Sequence, residues 1–228
     1  LRVVEALKGN GYVPLDEKHP LLTGLQATAS LIMATVEKAK DLEEDSTLVV
    51  YYSGHGAVGA KDLWLQTAGQ ITVGGGQGVK VSDLIVQIRR TQQDKSAFEG
   101  ELVLIIDACF SGKGILSQAL TLADMGRLST FIASSDKVEE SLPISPPYGS
   151  PKMSAFTYSI LHSLGLGFKE ADDGDGILRW EELLLSARSQ LRRFKEDGSL
   201  LKSMEPQFLT NHPLGYASYS RNDVRVWN

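Results

Sequence analysis

The chain carries a single cysteine among 228 residues, Cys109, which excludes an intrachain disulfide framework and any thiolate-rich metal site. A lone thiol suits a reducing compartment, so a cytoplasmic setting is the expectation. No uninterrupted apolar stretch approaches the roughly 20 residues a membrane-spanning helix needs, and no membrane partner is expected. The net charge of −5 leaves no basic footprint for a nucleic-acid backbone, which excludes direct nucleic-acid binding from the expected functions. There is no internal repeat. The glycine cluster at residues 73–78 is not followed by Gly-Lys-Ser/Thr, so it reads as a surface loop rather than a phosphate cradle. The first residues lack the cationic stretch and apolar run of a secretory signal.

With 42% hydrophobic and 22% charged residues, the composition is that of an ordinary globular protein. The length suits one α/β domain with a substantial core, and residues 1–228 are expected to form it. The chain starts at Leu1, without Met and already inside an amphipathic helix, which suggests a missing N-terminal piece or a larger parent protein.

Apolar residues Leu25, Ala29, Ile32, Val36 and Ala39 recur at steps of four and three, which predicts a helix over residues 25–39. Residues 47–52 form a β-branched and aromatic run stopped by Ser53-Gly54, a buried strand. Ser82 is placed to cap a helix bearing Leu84, Ile85 and Ile88; a second strand spans 101–106 and a third apolar run spans 128–133. Residues 136–152 are rich in Ser and Pro and read as a surface loop. Helical patterns resume at Phe156, Ile160, Leu161 and Leu164, and again at Leu183, Leu184, Ala187 and Leu191. Strands alternating with helices predict a mostly parallel sheet flanked by helices on both faces, since parallel strands need crossover connections.

Two of these strands end alike. Val49-Val50-Tyr51-Tyr52 runs into Ser53-Gly54-His55-Gly56, and Leu104-Ile105-Ile106 runs into Asp107-Ala108-Cys109-Phe110-Ser111-Gly112. Open α/β sheets bind ligands at the carboxyl ends of their strands, so neighbouring strands would bring His55 and Cys109 together. A thiolate is a strong nucleophile, and an adjacent imidazole stabilises it and later protonates a leaving amine. Glycines permit close backbone approach, and main-chain N–H groups of Gly56 and Cys109 are the candidate donors to an oxyanion. Taken singly, Cys109 reads as a small buried hydrophobe and His55 as a turn residue. Taken together, with the His roughly 50 residues upstream of the Cys, they read as a catalytic pair.

Tyr52-Ser53-Gly54-His55-Gly56 and Asp107-Ala108-Cys109-Phe110-Ser111-Gly112 resemble the two catalytic motifs of the caspase-like cysteine peptidases. The second is similar to the metacaspase form, which has an acid two positions before the nucleophile where caspases have Gln. The resemblance covers residues 1–135 well and the remainder loosely. It implies a caspase-like α/β/α sandwich whose first strand would lie upstream of Leu1, and a cysteine endopeptidase acting on proteins or peptides. It also implies that Asp107 lines the S1 pocket and selects Arg or Lys, a charge-assisted match of carboxylate to cation; the other reading is that Asp107 only caps its turn. The family shares that task with a second acid, for which Asp62, Asp136, Glu139 and Glu140 are candidates here. The alternative function is a catalytically silent caspase-like scaffold in a signalling or defence assembly, and a third is a cysteine hydrolase of small acyl or amide compounds. Regulatory sensor modules are the partners the family would bring.

The dyad chemistry requires no cofactor. Calcium is the one ion the sequence nominates: with Gly176 at position 6 of a calcium-binding loop, Asp173, Asp175 and Glu182 fall at positions 3, 5 and 12. Position 1 is Ala171, which removes one carboxylate, and the competing reading is an acidic turn before a helix. Many metacaspases use calcium and cleave themselves, which would make Lys113, Arg127, Lys137 and Lys152 candidate processing points. His19, His162 and His212 read as structural.

Overall fold

The computed structural model describes residues 2–19, 21–59, 62–68, 78–89, 98–112, 129–135, 153–165, 178–200, 202–210 and 224–227. Helix α1 (Arg2–Gly9) buries Val3, Val4 and Leu7 and leads to the short strand β1 (Val13–Pro14). The helical period across residues 25–39 resolves into a 3₁₀ turn (Gly24–Gln26), helix α2 (Ala29–Val36) and a second 3₁₀ segment (Glu37–Asp41). The break arises at Thr28, whose hydroxyl accepts the Leu31 backbone N–H at 3.2 Å and restarts the helix as its N-cap. Leu25, which the period assigns to the buried face, is therefore turned outward with 91% exposure.

Strand β2 (Thr47–Ser53) is followed by β3 (Gly56–Val58), β4 (Leu63–Gln66), β5 (Gly78–Lys80) and helix α3 (Val81–Arg89). Next come β6 (Glu101–Asp107), β7 (Ser129–Ala133), α4 (Ala155–Leu164), α5 (Trp180–Glu196), β8 (Gln207–Thr210) and β9 (Val224–Trp227). The central sheet runs β1-β9-β2-β6-β7-β8 and is parallel throughout except at the β7–β8 pair. Alternate residues of its strands feed two cores. Val49, Tyr51, Val103 and Ile105 pack with α1, α4 and α5, while Leu48, Val50, Leu102, Leu104 and Ile106 pack with α2 and α3. Burial on both faces is why β2 and β6 read as continuous apolar runs rather than alternating ones. The chain is thus mixed α/β, with a mostly parallel sheet between helical layers. No described helix is long and apolar enough to cross a membrane.

Three features depart from the sequence reading. Strands β3, β4 and β5 form a separate antiparallel sheet that the apolar pattern did not announce, since only Leu63 and Leu65 of β4 alternate inward and β5 adds the single buried Val79. Ser82 lies inside α3 rather than capping it, and its hydroxyl donates to the Asp62 carboxylate. The outer flank of β2 is taken by β9, from the far end of the chain.

At the opposite end of β2 and β6 from their glycine turns, burial raises the Glu101 pKa to about 7, against weaker lowering by Thr47 and Arg89. Its Oε1 has no hydrogen-bond partner among the described residues. A carboxyl whose pKa is higher folded than unfolded contributes stability below its unfolded pKa and loses it as pH rises through the folded value. Glu101→Gln is therefore expected to gain stability relative to the wild type between pH 5 and pH 8, read from urea midpoints at both.

Candidate active site

Strands β2 and β6 pair in parallel from Thr47 opposite Glu101 to Ser53 opposite Asp107. His55 and Cys109 each stand two residues beyond that last matched pair, at the carboxyl ends of adjacent strands. The two turns are in contact. The Gly54 N–H donates to the Asp107 carbonyl at 3.0 Å. A Cβ built on Gly56 would stand 2.4 Å from the Cys109 carbonyl oxygen and 3.1 Å from the Ala108 Cβ, so only glycine fits between the His turn and the Cys turn.

The hairpin that follows His55 fixes its turn. The Gln66 N–H donates to the His55 carbonyl at 2.9 Å, and the Tyr52 hydroxyl lies 2.9 Å from the carbonyl oxygens of both His55 and Gln66, with one proton to give. Burial holds that phenol protonated by raising its pKa. The Gln66-to-His55 bond marks Gly56 and Leu65 as a non-hydrogen-bonded pair. The Gly56 N–H consequently points away from β4, toward the outer edge of the hairpin, where an incoming oxygen can meet it.

The Cys turn is braced from β7. Ser134 and Ser135 donate from their hydroxyls to the Ala108 carbonyl at 3.3 and 3.2 Å, and the Ser111 hydroxyl accepts the Ser135 N–H at 3.2 Å. Phe110 adopts φ 59°, a left-handed conformation costing a bulky residue roughly 1–2 kcal/mol. Cys109 is partly exposed between buried Ala108 and the braced serines, and the His55 side chain is exposed. The imidazole and thiol are not hydrogen-bonded to each other, and catalytic contacts of this kind often tighten only when substrate binds.

Asp107 is buried on the α4 side of the sheet, with 2% exposure. Its Oδ2 accepts the hydroxyls of Ser154 and Thr157, with the Ser53 hydroxyl at 3.5 Å. Tyr51 hydrogen-bonds the Thr157 hydroxyl, and burial, with the charge of Asp107 second, raises its pKa. Ser154 is also the N-cap of α4, accepting the Thr157 N–H at 2.9 Å, so the Asp107 carboxyl sits at a helix N-terminus that favours negative charge. The sequence singled out Asp107 but none of these hydroxyl partners. The usable signals were strand parity, which puts Tyr51, Ser53 and Asp107 on one face, and Ser154 as a capping residue.

A cavity of about 860 Å³ opens beside the site, lined by Tyr51, Ser53, His55, Ser154 and Thr157 among others. Neither Cys109 nor Asp107 lines it directly, but Ser53, Ser154 and Thr157, whose hydroxyls contact the Asp107 carboxyl, are part of its wall.

Other sequence candidates separate. Asp62 is at the end of the β3–β4 hairpin remote from Gly56, with its carboxylate accepting the Leu63 N–H at 2.8 Å, so it is not brought to Asp107. Asp173, Asp175, Asp136, Glu139, Glu140, Lys113, Arg127, Lys137, Lys152 and His212 lie outside the described residues. Glu182 is described, and its Oε2 accepts the Arg179 N–H at 2.7 Å as the start of α5. Among the described residues no cluster of three or more His, Cys, Asp or Glu is placed to hold a metal ion. His19 binds Asp16 at 3.0 Å, and Lys38, then His19, hold the Asp16 carboxyl far below its ordinary pKa. His162 hydrogen-bonds Gln190. In comparisons with known proteins, no protein-family model and no curated sequence matches this chain.

Proposed function

We propose that this chain is a cysteine endopeptidase of the caspase-like kind, using Cys109 as nucleophile and His55 as acid and base. The observation that carries the reading is the matched ending of β2 and β6, with Gly56 pressed against the Cys109 backbone. In the proposed reaction the Cys109 thiolate attacks the scissile carbonyl carbon, and the resulting oxyanion is met by the N–H groups of Gly56 and Cys109. Collapse breaks the C–N bond as His55 gives its proton to the leaving amine. Water, deprotonated by His55, then attacks the thioester, releasing the acid and the thiol. The bracing of the Ala108 carbonyl by Ser134 and Ser135 supports the reading, because a nucleophile must be held in place to act.

The resemblance to metacaspases supports cleavage after Arg or Lys, with Asp107 as the anionic base of the pocket and Ser53, Ser154 and Thr157 as its polar wall. Peptides with P1 Arg, Lys or Asp test this with and without calcium. The expected order is Arg or Lys over Asp by roughly 30- to 150-fold in kcat/KM, since charge-assisted contacts contribute on the order of 2–3 kcal/mol. Asp107→Asn should erase most of that margin. A panel led by P1 Asp would overturn the basic pocket, and unchanged activity under a chelator would set calcium aside.

A further inference from the structure

Where the Cys turn meets the end of β7, three hydroxyls are wholly buried: those of Ser111, Ser134 and Ser135, each with 0% exposure. Ser134 and Ser135 both donate to the Ala108 carbonyl oxygen, at 3.3 and 3.2 Å, which fills its two lone pairs. A single donor already satisfies a buried carbonyl, so the second is in excess of what folding needs. Ser111 keeps both protons committed to Ala108. Its hydroxyl accepts the Ser135 N–H at 3.2 Å and lies 3.4 and 3.2 Å from the hydroxyls of Ser134 and Ser135, to which it can give its own proton. The Ser134 N–H donates to the Ile106 carbonyl and the Gly112 N–H to the Ser135 carbonyl, both at 2.9 Å, so backbone bonds pin the cluster on either side of Cys109.

The carbonyl they hold belongs to the Ala108–Cys109 peptide, whose other polar group is the Cys109 N–H. In a trans peptide the C=O and N–H point in opposite directions. Donors placed on the β7 side therefore turn the Cys109 N–H toward β2, which flanks β6 on its other side and leads into His55 and Gly56. Among the described residues that N–H makes no hydrogen bond, so it is open to an incoming oxygen. We propose that Ser134 and Ser135 are positioning residues for oxyanion stabilisation, acting through the Ala108–Cys109 peptide group. They fix its plane and, by drawing charge toward the carbonyl oxygen, make the Cys109 N–H a stronger donor, an effect that a low local dielectric enlarges. Their bonds are longer than the roughly 2.7–2.8 Å that O–H···O contacts favour, and shorten as the N–H meets a developing negative charge. An interaction that grows in this way lowers the barrier rather than merely tightening substrate binding. The inference rests on the protease reading and names the residues that set one of its oxyanion donors.

The test compares two reactions of the same thiol in the full chain. Hydrolysis of an arginyl amide passes through an oxyanion; alkylation by iodoacetamide, in which the sulfur displaces iodide from carbon, does not. Ser134→Ala and Ser135→Ala each leave one hydroxyl on the Ala108 carbonyl, so both variants should keep the wild-type circular dichroism. Each is expected to lower kcat for hydrolysis about tenfold, a fraction of the roughly 10²–10³ lost with an oxyanion donor itself, while KM and the alkylation rate constant stay within about twofold. Ser159→Ala removes a buried hydroxyl that bonds the Ala155 carbonyl within α4, and as the control it should leave both reactions at the wild-type rate. Equal losses in hydrolysis and alkylation would overturn the proposal, since the serines would then hold the thiol rather than the N–H. Undiminished hydrolysis in both variants would overturn it and leave the protease intact. Collapse of the circular dichroism in both would show the hydroxyls to serve folding, and would overturn it as well. A wild-type chain that is alkylated at Cys109 but hydrolyses no arginyl peptide would remove the protease reading and this inference with it.

Discussion

Cys109→Ala is expected to lower hydrolysis of arginyl peptides by at least about 10³-fold, the scale on which removal of an essential nucleophile acts. His55→Ala should cost nearly as much, and the double variant little more than either alone, because nucleophile and acid/base work as one unit. Neither side chain belongs to the buried core: Cys109 is partly exposed and His55 exposed, so both variants should keep the wild-type urea midpoint to within about 0.5 kcal/mol of stability. Activity that survives Cys109→Ala would point to a contaminant or to another nucleophile. Additive losses would mean that His55 and Cys109 do not act on the same step.

Gly56→Ala is expected to reduce activity by about 10²-fold and stability by roughly 1–3 kcal/mol, the cost of forcing an extra methyl into a packed site. The added Cβ would sit 2.4 Å from the Cys109 carbonyl oxygen, which is backbone and cannot step aside without moving Cys109 itself. Gly54→Ala supplies a graded comparison. There the Cβ would meet the Tyr52 hydroxyl oxygen at 2.6 Å, the tip of a side chain that can swing away at the expense of its bonds to the His55 and Gln66 carbonyls. Its loss of activity should be smaller. If Gly56→Ala refolds with wild-type kcat/KM and midpoint, the two turns are not in the contact described.

The contrast between Gly54 and Gly56 also shows what a sequence can and cannot tell. Both glycines, with His55 and Cys109, were legible because a strand run broken by a glycine turn is a local pattern; that the two strands are neighbours was only a condition of that reading, and the β2–β6 pairing supplies it. The burial of β2 and β6 on both faces was legible for the same reason. The contact between Gly56 and the Cys109 carbonyl was not, since it depends on two segments meeting across the sheet. Asp107 shows the same division. Its place two residues before Cys109 is local, whereas its partners Ser154 and Thr157 arrive from the first turn of α4, nearly fifty residues on. Leu25 failed for a further reason: a period of four and three was continuous across residues that Thr28 divides, and a cap overrode the pattern. Strands β8 and β9 are four residues each, too short to outweigh their polar neighbours in sequence.

The central claim, that Cys109 is a nucleophile activated by His55 at a site that accepts a basic side chain, is tested most directly by covalent labelling. The full chain would be incubated with an arginyl chloromethyl ketone peptide and its intact mass followed over time. One adduct per chain, mapped to Cys109, absent in Cys109→Ala, at least about tenfold slower in His55→Ala and outpacing the aspartyl analogue, is the expected result. Labelling at equal rates in wild type and His55→Ala, or no preference for the arginyl reagent over iodoacetamide-like background, would contradict it.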